Sequence, residues 1–181
     1  MNDDALQPAA DTQAPAGHRV WRVGADIDTD ALAPGAYMKF GIDEIARHCL
    51  QNQRADFAAG ARPGDVVVAG PNFGIGSSRE QAVAALVHLG IRAVIAPAFS
   101  GLFFRNAFNL GLLLLTCADA GTIGEGERVT IDARRGLIGR ADGGELTCEP
   151  LPGFLLDMVD AGGLLKLLKQ RYPTQHGVIS C

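Results

Sequence analysis

Apolar residues are gathered in short runs and helical stripes, punctuated by glycine and proline. Residues 65–69 (Asp-Val-Val-Val-Ala), 92–96 (Arg-Ala-Val-Ile-Ala) and 112–116 (Leu-Leu-Leu-Leu-Thr) are continuous apolar runs bounded by turn residues, the pattern of buried strands. Between them, residues 80–89 read as a helix ended by Gly90. Residues 100–109 read as a second helix closed by Gly111, with Leu102, Phe103, Ala107 and Leu110 on its apolar side. Strands alternating with helices in this way imply parallel β-α-β crossovers from Asp65 to Thr116. Upstream, residues 18–23 alternate as a first strand. A long loop over residues 24–41 follows, and loops of that length inside a domain are usually functional. Short helices are expected over residues 43–50 and 54–59. Downstream, residues 127–132 and 144–148 read as half-exposed strands, with turn residues at Arg135-Gly136 and Asp142-Gly143-Gly144. One last helix is expected over residues 153–168, with Leu155, Met158, Val159 and Leu165 packed in the core.

Composition sharpens this picture mainly by exclusion. With 181 residues, 48% hydrophobic and 20% charged, the chain reads as one globular domain over residues 18–181, preceded by a loose tail over residues 1–17. That tail is rich in Ala, Asp, Gln and Pro and has neither the basic start nor the apolar core of a signal peptide. A net charge of −4 with no Lys/Arg cluster argues against nucleic acid as a partner. The most apolar run, residues 110–116, is far too short to span a bilayer, so no membrane partner is expected. Cys49, Cys117, Cys148 and Cys181 are scattered, with no C-x-x-C pair and no zinc-type spacing. Reduced thiols, a cytoplasmic location and no metal bound by this chain are the expectation.

Candidate chemistry concentrates at Gly70-Pro71-Asn72-Phe73-Gly74-Ile75-Gly76-Ser77-Ser78-Arg79-Glu80-Gln81, between a strand and a helix. Glycines at this point let backbone approach a ligand closely, and Gly74 and Gly76 are the candidate anion-loop positions. The helix start adds unpaired N–H groups and a positive dipole end. Two hydroxyls and a guanidinium there suit a carboxylate or a phosphate. The alternative is purely structural: Ser77 or Ser78 acts as an N-cap, with Glu80 or Gln81 completing a capping box. The glycine spacing fits neither the dinucleotide fingerprint nor a P-loop, so a nucleotide is not the favoured ligand.

Three blocks, in order, resemble the small-subunit family of 3-isopropylmalate dehydratases (isopropylmalate isomerases) and, more broadly, the swivelling domain of the aconitase superfamily. They are Asp26-Ile27-Asp28-Thr29-Asp30 with Pro34 and Tyr37-Met38-Lys39-Phe40; Asn72-Phe73-Gly74-Ile75-Gly76-Ser77-Ser78-Arg79-Glu80; and Gly90-Ile91-Arg92-Ala93-Val94-Ile95-Ala96-Pro97-Ala98-Phe99 leading to Phe103-Phe104-Arg105-Asn106-Ala107 and Gly111-Leu112-Leu113. The resemblance implies an α/β fold, a three-layer β/β/α swivelling domain. It implies a hydro-lyase that converts 2-isopropylmalate to 3-isopropylmalate by dehydration and rehydration, in leucine biosynthesis, active only beside a large catalytic subunit. That partner would carry a [4Fe–4S] cluster, and the chain itself would bind no cofactor. By the same resemblance Ser77 is the catalytic base, Ser78 and Arg79 bind a substrate carboxylate, and Asp30, Tyr37, Met38 and Lys39 belong to the substrate-recognition loop.

That loop leaves the substrate open among hydroxy-dicarboxylates and tricarboxylates. Lys39 either pairs with an extra carboxylate, as in a homoaconitase-like enzyme, or snorkels outward and leaves Met38 and Phe40 to meet an alkyl group. An alkylmalate or maleate hydratase fits the same machinery. A reading from another class is a stand-alone anion-binding module that retains only the glycine turn.

Overall fold

The computed structural model describes residues 17–172. The expected tail lies outside the described residues apart from Gly17, as does Cys181. Strand β1 (His18–Arg22) pairs in parallel with β2 (Val66–Val68), β2 with β3 (Ala93–Ala96), and β3 with β4 (Leu113–Thr116). Across its other edge β1 meets β5 (Arg128–Asp132) antiparallel, and a meander continues through β6 (Leu137–Arg140) and β7 (Glu145–Thr147). The sheet order is β4-β3-β2-β1-β5-β6-β7.

The successive crossovers from β1 to β4 all step the same way along the sheet. Right-handed connections therefore lay their helices on one face. These are α1 (Thr29–Leu32), α2 (Ile42–Arg47), α3 (Phe57–Gly60), α4 (Glu80–His88) and α5 (Gly101–Leu110), with α4 in contact with α1, α2 and α5. Every residue of β2 and β3 is buried, so the other face of these strands is covered as well. The antiparallel wing also buries Val129 and Ile138. Its far end returns to the parallel wing, where the Glu149 N–H donates to the Thr116 carbonyl at 2.8 Å, joining the outermost strands of the sheet. Two β layers and a helical layer result, the expected swivelling-domain architecture. No described helix is long and apolar enough to cross a membrane.

Three features differ from expectation. Strand β6 was not anticipated. Its Leu-Ile-Gly-Arg sequence lacks alternation, and Gly139 packs closely on its cross-strand partner, since a Cβ there would lie 2.6 Å from Thr130 Oγ1. The single last helix is two, α6 (Gly153–Ala161) and α7 (Leu164–Arg171), broken at Gly162 and Gly163 with φ of 76° and 118°. The break is where α5 ends against it: a Cβ on Gly163 would lie 2.5 Å from the Asn109 carbonyl oxygen. Leu165, placed in the core stripe by its spacing, is consequently 73% exposed, whereas Met158 and Val159 are buried as expected. The loop over residues 24–41 is not irregular throughout, since it contains α1 and a 3₁₀ turn at Gly35–Tyr37.

The C-terminal ends of β1, β2 and β3 point to one end of the molecule, and the segments leaving them converge there. Ligands of open α/β sheets bind at this end. A cavity of about 340 Å³ lined by His18, Arg92, Leu113, Arg134 and Asp160 opens at the opposite end and does not touch those segments.

Candidate active site

Backbone hydrogen bonds lace the converging segments together. Asp26 N donates to the Pro71 carbonyl (2.9 Å), Gly74 N to Ile27 (2.7 Å) and Thr29 N to Ile75 (2.9 Å). The loop after β3 joins through Phe73 N to Ala98 O (3.2 Å) and Ser100 N to Phe73 O (2.9 Å). Asn72, at φ 62°, adds a side-chain bond from Nδ2 to Asp26 Oδ1 of 2.8 Å. Phe73 is fully buried beneath this weave, edge-on to Phe99 and Phe103. Gly74 has φ 79°, and a Cβ there would overlap the Phe103 ring. Its N–H is committed to Ile27, so Gly74 serves the turn by close packing and not as an anion donor. That corrects one of the two expected backbone positions. Gly76 N, by contrast, has no backbone partner among the described residues.

The weave delivers Ser77 and Ser78 to the surface, both exposed, with Arg79 half-buried behind them. Helix α4 begins at Glu80 with Arg79 as its N-cap and no side-chain capping bond. The capping-box alternative therefore does not apply, and neither serine hydroxyl is spent on the helix. Ser77 instead meets Thr29: its N–H donates to Thr29 Oγ1 at 3.1 Å, and the two hydroxyl oxygens lie 3.1 Å apart. The Ser78 carbonyl accepts from Asn106 Nδ2 at 3.1 Å, which anchors the segment to α5.

Arg79 forms an ion pair with Asp30 through Nη1, and the same nitrogen reaches the Ala33 carbonyl at 3.3 Å. Nε and Nη2 have no protein partner among the described residues, which leaves one edge of the guanidinium available for a carboxylate. Asp30 thus stands next to Arg79 and holds it. Asp28 secures the start of α1 by accepting from Ala31 N at 2.6 Å.

Tyr37, Met38 and Lys39 follow a few residues beyond Ala33, without a hydrogen bond to residues 77–79 among the described contacts. Tyr37 stacks on His48 with ring centroids 3.6 Å apart, and Met38 packs against the core. Lys39 is exposed, its Nζ 5.1 Å from the Phe40 ring centre. Of the expected site residues, then, Ser77, Ser78, Arg79 and Asp30 come together, while Tyr37, Met38 and Lys39 stand to one side. Thr29 and Asn106 touch the serine segment without having been singled out beforehand. Both lie inside the quoted blocks, and a hydroxyl directly after an N-cap aspartate was the signal available for Thr29.

The arrangement limits the chemistry. No histidine or carboxylate hydrogen-bonds Ser77 among the described residues, so its hydroxyl belongs to no Ser-His-Asp relay. The three described thiols are buried: burial pushes Cys49 well above the ordinary thiol range, and burial with Cys117 beside it pushes Cys148 up to about 12. What remains is an exposed hydroxyl pair and a half-free guanidinium at the end of three parallel strands, suited to holding a carboxylate and moving a proton next to it.

Comparison with known proteins finds relatives in both sequence and fold. A family profile for the aconitase C-terminal domain matches residues 50–120. The chain is 43% identical over 153 residues to 3-isopropylmalate dehydratase small subunit 1 of Archaeoglobus fulgidus, covering 83% of this chain and 95% of that one. It is 44% identical over 150 residues to the methanogen homoaconitase small subunit of Methanothermobacter thermautotrophicus, covering 81% and 86%. Its fold superposes on the crystal structure of 3-isopropylmalate dehydratase from Methanocaldococcus jannaschii with a TM-score of 0.81 at 40% identity, covering 87% of this chain and 95% of that one.

Proposed function

The chain belongs to the family of 3-isopropylmalate dehydratase small subunits, and from that premise we propose that it is the small subunit of a heteromeric hydro-lyase interconverting 2-isopropylmalate and 3-isopropylmalate. The observation that carries this reading is the Ser77-Ser78-Arg79 segment, its two serines exposed with no capping bond to the helix and its half-buried arginine backed by Asp30.

In the proposed reaction Arg79, with Nε and Nη2 unpartnered among the described residues, clamps a substrate carboxylate, and Ser78 adds a hydroxyl to the same group. Ser77 Oγ takes the proton from the carbon next to that carboxylate as the C–H bond breaks, then returns a proton during rehydration. The aci-carboxylate formed by proton loss, with two negative charges on one group, most needs stabilising, and Arg79 with the Gly76 N–H, unpartnered among the described residues, supplies positive charge and a donor beside it.

The described residues contain no group of three or more His, Cys, Asp or Glu side chains that could hold a metal, and the buried cysteines do not fit an iron–sulfur cluster. We assign the [4Fe–4S] cluster, with its Lewis acidity toward the departing hydroxyl, to the large subunit. The steps given to this chain are carboxylate binding and proton transfer.

The test is reconstitution with an iron–sulfur large subunit. The chain alone should show no turnover and the pair should isomerise 2-isopropylmalate. Ser77→Ala should reduce kcat by roughly 10²–10⁴-fold while assembly is retained. Near-normal turnover by that variant would remove Ser77 from the role of base. A second reading, a homoaconitase-like substrate, is favoured by exposed Lys39 on the recognition loop. Competing homocitrate and dimethylmalate against 2-isopropylmalate on the same complex decides between them, and a selective loss of tricarboxylate turnover in Lys39→Ala would favour homocitrate.

A further inference from the structure

Buried polar side chains are scarce in the described part of this protein: they are Thr29, 1% exposed, and Asp65, 5% exposed. Burying a hydroxyl without partners costs about 1–3 kcal/mol, so the partners Thr29 has found carry information. Both of its side-chain hydrogen bonds go to the same residue, Ser77, one to the backbone N and one to Oγ, each 3.1 Å.

From this geometry we infer that Thr29 is a positioning residue that sets Ser77 up as a base, by donating its hydroxyl proton to Ser77 Oγ when that oxygen is negatively charged. The inference rests on the assignment of Ser77 as the base. Thr29 Oγ1 already accepts the Ser77 N–H with one lone pair, which turns the hydroxyl so that its single proton is directed to the neighbouring Ser77 Oγ. A neutral serine can donate or accept in that contact, but an alkoxide can only accept. The bond therefore strengthens on deprotonation of Ser77 and favours the charged form. Ser77 is exposed, so its own proton leaves to solvent before substrate binds, and the substrate's proton later takes its place. The Thr29 proton stays on Thr29 throughout.

The surroundings of Thr29 are built to hold this contact. Its N–H is fixed to the Ile75 carbonyl at 2.9 Å, and Asp28 caps the turn in which it sits. Gly76, at φ 102°, leaves room for the hydroxyl, since a Cβ there would come within 3.2 Å of Thr29 Oγ1. Thr29 itself is too buried to touch substrate. Its influence passes through Ser77.

The experiment uses the complex with the large subunit and three variants, Thr29→Val, Thr29→Ser and Ser77→Ala. Thr29→Val should lower kcat by about 10–100-fold, the loss of one hydrogen bond to a charged group, with KM nearly unchanged. The rising limb of its kcat/KM–pH profile, which reports the free enzyme, should move up by about one to two pH units. Thr29→Ser should restore both. A kcat within twofold of wild type, or a loss of kcat with the limb unmoved, overturns the inference whatever Thr29→Ser does. If Ser77→Ala is inactive and Thr29→Val is normal, this inference fails alone; if Ser77→Ala retains turnover, the base assignment fails with it. A measurement on the unmodified chain needs no variant to fold: the Ser77 amide should exchange with solvent at least about tenfold more slowly than the Ser78 amide. Equal exchange rates overturn the inference as well.

Discussion

Asp65 stands just before β2 and gathers donors from three directions: Trp21 Nε1 at 2.8 Å, the Arg62 N–H at 2.9 Å and the Arg19 guanidinium. Burial alone would push its carboxyl up, but the Arg19, Trp21 and Arg62 hydrogen bonds outweigh burial and hold it below the ordinary carboxylate range. Asp65→Asn leaves Arg19 without its anion and should cost about 2–3 kcal/mol in a urea melt. Because the folded-state pKa is depressed, this stabilisation is complete above the unfolded value of about 3.9 and is lost as pH falls through the folded one. The gap between wild type and variant should therefore be constant near neutrality and narrow only below about pH 4. A gap still undiminished at pH 2 would contradict the ionised pairing. At this scale the sequence was partly readable. Ser77, Ser78 and Arg79 are contiguous and follow a glycine turn, so their convergence is local. Thr29 meets Ser77 across 48 positions, and Asp65 meets Arg19 across 46, contacts that no local pattern encodes.

Among the elements, the break between α6 and α7 is the clearest case of packing overruling periodicity. Apolar residues stand at helical spacing on either side of residues 160–163, yet Gly162 and Gly163 adopt left-handed backbone because the end of α5 presses on them. Gly163→Ala should destabilise the fold by about 2 kcal/mol or more, through both its positive φ and the clash with the Asn109 carbonyl. Gly35→Ala is the control, with open space around it and no positive φ, and should leave the thermal midpoint nearly unchanged. Equal midpoints for the two variants would show that the break is tolerated for other reasons. The parallel wing was legible because strands buried on both faces read as unbroken apolar runs. Strand β6 was not, because a four-residue strand with a glycine in it carries neither alternation nor a run.

For the molecule as a whole, the position of the site matters more than its contents. Ser77 and Ser78 lie on an open surface, flanked by exposed Ile75 two residues away and by Leu102, which is 43% exposed and shares a face of α5 with Asn106. Apolar side chains around an otherwise polar site mark the area a second chain would cover. Leu102→Arg should weaken association with the large subunit by roughly tenfold or more, measured by calorimetry, while leaving the isolated chain's stability within about 0.5 kcal/mol. Unaltered association would move the docking surface elsewhere.

The backbone weave under Ser77 bears on how that docking proceeds. Holding one loop residue in a single conformation costs about 1–2 kcal/mol, and here the stretches around residues 26–29, 71–76 and 98–100 are already held by one another. When the two chains meet, the ordering has been completed during folding, and mainly overall translation and rotation remain to be lost. The segment of Ser77, Ser78 and Arg79 arrives as one preassembled piece, whatever angle the subunit approaches from.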